Sequence, residues 1–158
     1  MDKAVFRIIQ AINNNENIAI FGDYDVDGAT SSALINRVDE GYGLNANALL
    51  QLKKKGIDLC ISVDCGMLAY QPIEDAKGFG LDVIVIDHHL GTEKLPSAIA
   101  VVNPNRLDES SPYNSLAAVG VSFLLNVALN KSLREQDFPI FDLPANAISG
   151  TDSLPMLK

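Results

Sequence analysis

The sequence predicts an α/β domain built on a parallel sheet with helices on both faces. Three observations carry this expectation. Four short apolar runs, at 18–21, 59–63, 83–86 and 99–102, have the length and density of strands buried on both sides. Segments with helical spacing separate the runs, as βαβ units require. The first three runs each stop at acidic residues, and the third stops at an acid followed by two histidines. Ligands bind beyond the carboxyl ends of strands in such sheets, and that is where these polar residues fall. The architecture is Rossmann-like.

Taken in order, residues 2–13 carry Ala4, Val5, Ile8, Ile9 and Ile12, a helical stripe. A polar break at 13–17 leads into the first strand, which ends in Asp23-Tyr24-Asp25-Val26-Asp27-Gly28. Residues 29–38 read as a helix whose first turn, with Thr30, Ser31 and Ser32, leaves backbone N–H groups able to meet an anion. Gly41-Tyr42-Gly43 is a loop, and Asn45 is the expected N-cap of a helix ending near Lys55-Gly56. The second strand stops at Asp64, with Gly66 close behind, and residues 68–77 read as a helix closed by Gly78-Phe79-Gly80. The third strand stops at Asp87-His88-His89, and the fourth at Asn103-Pro104-Asn105. Residues 115–133 have the apolar density of a packed helix, with Gly120 marking a close contact. Two parts are expected: a lobe at 1–135 and a weakly patterned, Pro-punctuated tail at 136–158.

At 158 residues the chain suits one domain with its own core. No apolar run approaches a membrane span, and the N-terminus shows no signal-peptide pattern. Cys60 and Cys65 lack metal-ligand spacing and read as reduced thiols, which suits a cytoplasmic protein. The net charge of −8 means the surface as a whole does not attract nucleic acid. A polyanionic substrate therefore needs a local basic patch or a metal, and the metal has more support. Arg106, just after the fourth strand end, is a candidate phosphate contact; a solvated surface arginine is the plainer alternative.

Asp23, Asp25 and Asp27 sit at every second position, and their charges repel unless a cation neutralises them. Oxygen-rich clusters suit hard cations such as Mg²⁺ or Mn²⁺. A solvated acidic turn is the bland alternative, weakened because two later strands end the same way. A calcium EF-hand loop fails: its twelfth position is Leu34 rather than Glu, and a strand-like run precedes it. Several carboxylates with one or two imidazoles on one edge make a mononuclear or dinuclear site. Two ions about 3.5–4 Å apart activate a bridging water for in-line displacement at phosphorus. Asp27 or Asp64 could bridge them. One of His88 and His89 then binds metal while the other faces substrate phosphate. No Ser-His-Asp spacing and no Walker P-loop is readable.

Three motifs in order, Asp23-Tyr24-Asp25-Val26-Asp27-Gly28, Val63-Asp64-Cys65-Gly66 and Asp87-His88-His89, resemble those of the DHH phosphoesterases. Asn36-Arg37, Gly41-Tyr42-Gly43-Leu44, Val102-Asn103-Pro104-Asn105 and Ser115-Leu116-Ala117-Ala118-Val119-Gly120-Val121 make the text look like the RecJ type, over residues 15–133. The resemblance implies a metal-dependent phosphodiesterase that hydrolyses single-stranded DNA or short oligonucleotides from the 5′ end, using two Mn²⁺ or Mg²⁺ ions. It implies Asp25, Asp27, Asp64 and His88 as metal ligands, with Asp23, Asp87 and His89 in or beside the site. Asp87, His88 and His89 would form the catalytic group, and His89 would also contact substrate.

Three departures qualify the resemblance. Leu34 runs almost directly into Ile35-Asn36-Arg37, so one sheet strand is expected to be missing. The family's fourth motif is reduced to Gly150-Thr151-Asp152, which leaves Asp152 as a candidate ligand. The chain also stops before the family's second domain and the OB-fold that hold single strands, so it reads as part of a catalytic lobe. A small-nucleotide phosphatase, or an inactive remnant serving as a binding module, are the alternatives. The sequence is silent on oligomeric state.

Overall fold

The computed structural model describes residues 1–22 and 44–136. The elements are α1 (Asp2–Asn13), β1 (Ile18–Gly22), α2 (Ala46–Lys54), β2 (Leu59–Val63), α3 (Tyr70–Gly78), β3 (Asp82–Ile86), β4 (Ala100–Val102) and α4 (Ala118–Glu135). The four strands are parallel and hydrogen-bond to one another in chain order. Successive strand residues point to opposite faces. Ile20, Ile61, Val63, Ile84, Ile86 and Val102 pack with α1 and α4. Ala19, Phe21, Cys60, Val83 and Val85 pack with α2 and α3. Helices therefore cover both faces, which is why the strand runs are continuously apolar rather than alternating. Ile84 is fully buried mid-sheet, so truncating it to Ala costs about 2–5 kcal/mol.

The helical stripe of α1 buries Ala4, Val5, Ile8 and Ile9 against the sheet. Arg7 is buried beside them, with Nε 2.7 Å from Asp82 Oδ2 at the start of β3 and Nη2 on Glu16. Burial alone would lower the Arg7 pKa, but the hydrogen bonds to Asp82 and Glu16 outweigh it and raise it. This tie closes the amino-terminal edge of the sheet, away from the strand ends that carry the motifs.

Asn45 caps α2 as expected, its Oδ1 accepting from Ala48 N at 2.9 Å. Lys53 and Lys54 sit in the last turn, and Gly56 adopts φ +83°, a glycine conformation at a helix end. Helix α3 begins at Tyr70, two residues later than expected. Ala69 N donates to Gly66 O at 3.0 Å and Met67 is buried, so residues 66–69 form a turn instead. Pro72 is tolerated in the first turn of α3, where its missing N–H has no helical partner to lose.

The passage from β3 to β4 contains no helix. It is a strap pinned to α3: Tyr70 Oη donates to Lys94 O at 3.1 Å and Ser97 Oγ donates to Glu74. Helix α4 begins at Ala118, later than expected, after a turn in which Leu116 N donates to Tyr113 O. The close contact of Gly120 lies within this segment, since a Cβ there would come 3.1 Å from Leu116 Cδ2. Among the described residues no helix is long and apolar enough to cross a membrane. The expected helix at 29–38, the loop at 41–43, the missing strand and the tail from 137 lie outside the described residues.

Candidate metal centre

The sheet register aligns the strand ends. Gly22 pairs with Val63, Val63 with Ile86, and Ile86 with Val102. The next residues in the chain are Asp23, Asp64, Asp87 and Asn103. Asp23 lies outside the described residues, as do Asp25, Asp27 and Asp152. The other three exits stand side by side. The ladder continues one residue past the strands, with Asp64 N donating to Ile86 O at 2.9 Å and Asp87 N to Val102 O at 3.0 Å.

Asp64 holds φ +61°, a left-handed conformation that Asp and Asn tolerate better than most residues. Its side chain is 2% exposed, and its Oδ1 lies 3.2 Å from His88 Nε2. Two residues on, Gly66 has φ +112°, and a Cβ there would meet Ser62 Oγ at 3.0 Å. The buried Ser62 hydroxyl instead donates to the Cys65 carbonyl, fastening the turn that presents Asp64.

Asp87 is 1% exposed and is surrounded by donors. Its Oδ2 accepts from Met67 N at 3.1 Å. Its Oδ1 accepts from His88 N at 2.7 Å and His89 N at 3.1 Å, and lies 2.6 Å from His89 Nδ1. A carboxylate at Nδ1 favours the tautomer protonated there and leaves Nε2 as the donor atom for a metal or acceptor for a proton. The sequence places Asp87 among catalytic residues; the geometry gives its oxygens to the turn that carries both histidines and to the Met67 N–H.

His89 is the more exposed imidazole, at 60% against 32% for His88, and the two rings lie 4.7 Å apart. One ligand atom each from Asp64, His88 and His89 falls within 4.8 Å of the others. A buried carboxylate with two imidazoles is a nitrogen–oxygen donor set suited to a first-row divalent ion. The thiols take no part in this group. Cys60 is in the core, where burial, with a smaller contribution from Cys65, pushes its pKa up to about 12. Cys65 Sγ rests 3.3 Å from Ser62 Oγ.

Arg106 is committed locally. Its Nε donates to Asp108 Oδ1 at 2.8 Å, its Nη2 to Asp108 Oδ2, and its Nη1 to Val101 O at 2.9 Å. The hydrogen bonds from Arg106 hold the Asp108 carboxyl below its usual range, against a small opposing effect of burial. A substrate phosphate at Arg106 would have to compete with Asp108.

Four contributors escaped the sequence reading: the Ser62 hydroxyl, the Met67 N–H, and the side chains of Asn103 and Asn105. Asn103 Nδ2 donates to His89 O at 2.8 Å, and Asn105 Nδ2 donates to His88 O. The signals for the asparagines were their place directly after the fourth strand run and their part in the Val102-Asn103-Pro104-Asn105 resemblance, neither of which assigned them a role.

Comparison with known proteins accords with this geometry. Residues 17–148 match the family described as "DHH family, N-terminal domain". The single-stranded-DNA-specific exonuclease RecJ of Dickeya dadantii is 41% identical over 150 residues, covering 84% of this chain and 26% of the relative. The RecJ exonuclease of Bacillus subtilis is 38% identical over 161 residues, covering 92% of this chain and 20% of the relative. The crystal structure of Thermus thermophilus RecJ in complex with Mn²⁺ superposes with TM-score 0.69 at 27% identity, covering 88% of this chain and 21% of that one. The chain thus spans about a quarter of the length of the curated relatives it matches.

Proposed function

Because this chain belongs to the DHH family, we propose that it carries the metal-binding half of a phosphodiesterase acting on single-stranded DNA or short oligonucleotides. The observation that carries the reading is the convergence of Asp64, His88 and His89 on one sheet edge, next to the exit of β1 toward Asp23. RecJ relatives named for single-stranded-DNA-specific exonuclease activity, and a related structure in complex with Mn²⁺, support the substrate and the metal.

In this reading Asp64 and His88 hold Mn²⁺ or Mg²⁺ together with Asp25 and Asp27, with Asp23 beside them and Asp152 as a further ligand. A bound pair of ions would polarise a phosphoryl oxygen and acidify the attacking water. His89, the more exposed imidazole, orients the substrate phosphate through Nε2. Asp87 keeps that ring in place and prevents its rotation. Hydrolysis proceeds from the 5′ end. Single strands are held loosely: the net charge is −8, and the chain has no Trp on which bases could stack.

The test is digestion of a 5′-labelled single-stranded oligonucleotide with Mn²⁺, beside a 3′-labelled copy, a duplex and a mononucleotide. Release of 5′ mononucleotides from the single strand supports the proposal. Turnover of the mononucleotide alone would replace it with a small-nucleotide phosphatase, and no Mn²⁺-dependent turnover of any substrate would leave a binding module.

A further inference from the structure

Beyond the ligands themselves, we propose that Asn103 and Asn105 are positioning residues that set the spacing of the two imidazoles; this rests on the metal reading above. The last β3–β4 ladder bond runs from Asp87 N to Val102 O, and beyond it no helix holds His88 and His89. Their backbone carbonyls point toward the exit of β4, and each accepts a side-chain amide from it. Asn103, 3% exposed, donates from Nδ2 to His89 O at 2.8 Å, while its Oδ1 accepts from Asn105 N at 2.8 Å. Asn105 donates from Nδ2 to His88 O, and its own carbonyl accepts from Gly91 N at 3.1 Å. The two asparagines therefore extend the β3–β4 pairing by side chain, beyond the last strand pair.

Close packing makes this arrangement specific. A Cβ on Gly91 would lie 3.0 Å from both Arg106 Cα and Asn105 O, so the loop carrying the histidines lies directly on the segment carrying the amides. Opposite the asparagines, Asp87 grips the same loop through His88 N, His89 N and His89 Nδ1. The backbone of the two histidines is thus clamped, with its N–H groups on Asp87 and its carbonyls on Asn103 and Asn105. An imidazole whose backbone is held from both sides reaches its ligand geometry before the ion arrives, which is what raises metal affinity. A side-chain donor is also needed here: Asp has the same shape as Asn but offers the carbonyl an oxygen instead of an N–H.

The experiment uses the full chain with Asn105→Asp and Asn103→Asp. Asn103→Asp keeps the acceptor for Asn105 N and removes the donor; the negative charge it adds would by itself favour Mn²⁺, so a weaker affinity reports the lost donor. Asp108→Asn serves as a control, since it loosens the neighbouring Arg106 without touching either histidine carbonyl. Mn²⁺ binding is measured by calorimetry, and the spectrum of the bound ion by electron paramagnetic resonance, well below each variant's thermal midpoint. We expect the Mn²⁺ Kd to rise about 10–100-fold in both asparagine variants and less than about 3-fold in the control. At saturating Mn²⁺ the resonance of the asparagine variants should differ from wild type, which mere loosening of the fold would not produce. Wild-type affinity and spectrum in both asparagine variants overturn the positioning role and leave the metal reading standing. Absence of Mn²⁺ binding in the unchanged chain overturns both.

Discussion

His88 Nε2 lies 3.2 Å from Asp64 Oδ1, across the carboxyl ends of two adjacent parallel strands. The carboxylate is almost fully buried, and the left-handed backbone at Asp64 aims it at the imidazole. A buried carboxylate needs a hydrogen-bond donor or a cation to be stable there. Asp64→Asn separates these roles, because Asn accepts the same backbone conformation but removes the charge. Expected are a loss of Mn²⁺ affinity of more than about 10-fold and a stability change below about 1 kcal/mol. Calorimetry and urea denaturation check the two halves. Unchanged affinity would remove Asp64 from the ligand set.

Asp87 is a different case, because its oxygens serve the protein. Asp87→Asn must turn an NH₂ group toward either Met67 N or the histidine N–H groups. A buried donor then faces a donor, at a cost of about 1–3 kcal/mol. The urea midpoint should fall accordingly in metal-free protein. A midpoint equal to wild type would mean that these contacts do not brace the loop.

The strand runs were legible because a parallel sheet covered on both faces writes itself as continuous apolar text. Leu59–Val63 appears in the structure with the bounds read from sequence. Asn45 was legible as a cap because its chemistry is local. The starts of α3 and α4 were not, since apolar residues such as Leu68 and Leu116 continue the helical pattern into turns held by backbone bonds at Gly66 and Tyr113. At the site, the strand ends pointed to Asp64 and to one of His88 and His89, and only the family resemblance named His88 as the ligand. The division of labour between Asp87 and the histidines was hidden, because it depends on which donors reach its oxygens. The amides of Asn103 and Asn105 were hidden for the same reason: nothing in a linear pattern pairs a residue with a carbonyl on the neighbouring strand exit.

The two thiols should differ sharply in reactivity. Cys60 is fully buried, with a pKa pushed to about 12, while Cys65 is partly exposed beside Ser62. The thiolate is the reactive form, so Cys60 stays inert at pH 8 while the fold holds. Iodoacetamide labelling followed by mass spectrometry should give modification at Cys65 only in native protein and at both in urea. Labelling of Cys60 at the native rate of Cys65 would contradict its burial.

Acid sensitivity should originate at the amino-terminal edge of the sheet. The Glu16 pKa is lowered first by the hydrogen bond from Asn14 and then by Arg7, which together outweigh burial. Asp58 is lowered chiefly by the Asn17 N–H, with Lys53 adding to it. A carboxylate with a folded pKa below its unfolded value contributes stability above the unfolded value, about 4.3 for Glu. That contribution is lost as pH falls through the folded value. Arg7, raised, stays charged throughout and does not change the sign. Glu16→Gln should therefore cost about 1–2 kcal/mol at pH 7, where it removes a charged partner from the buried guanidinium. The deficit should shrink as pH drops from roughly 5 toward 3, because wild type loses the same charge by protonation. Urea midpoints across that range check this; two curves separated by a constant offset would show that the Glu16 charge does not carry the effect.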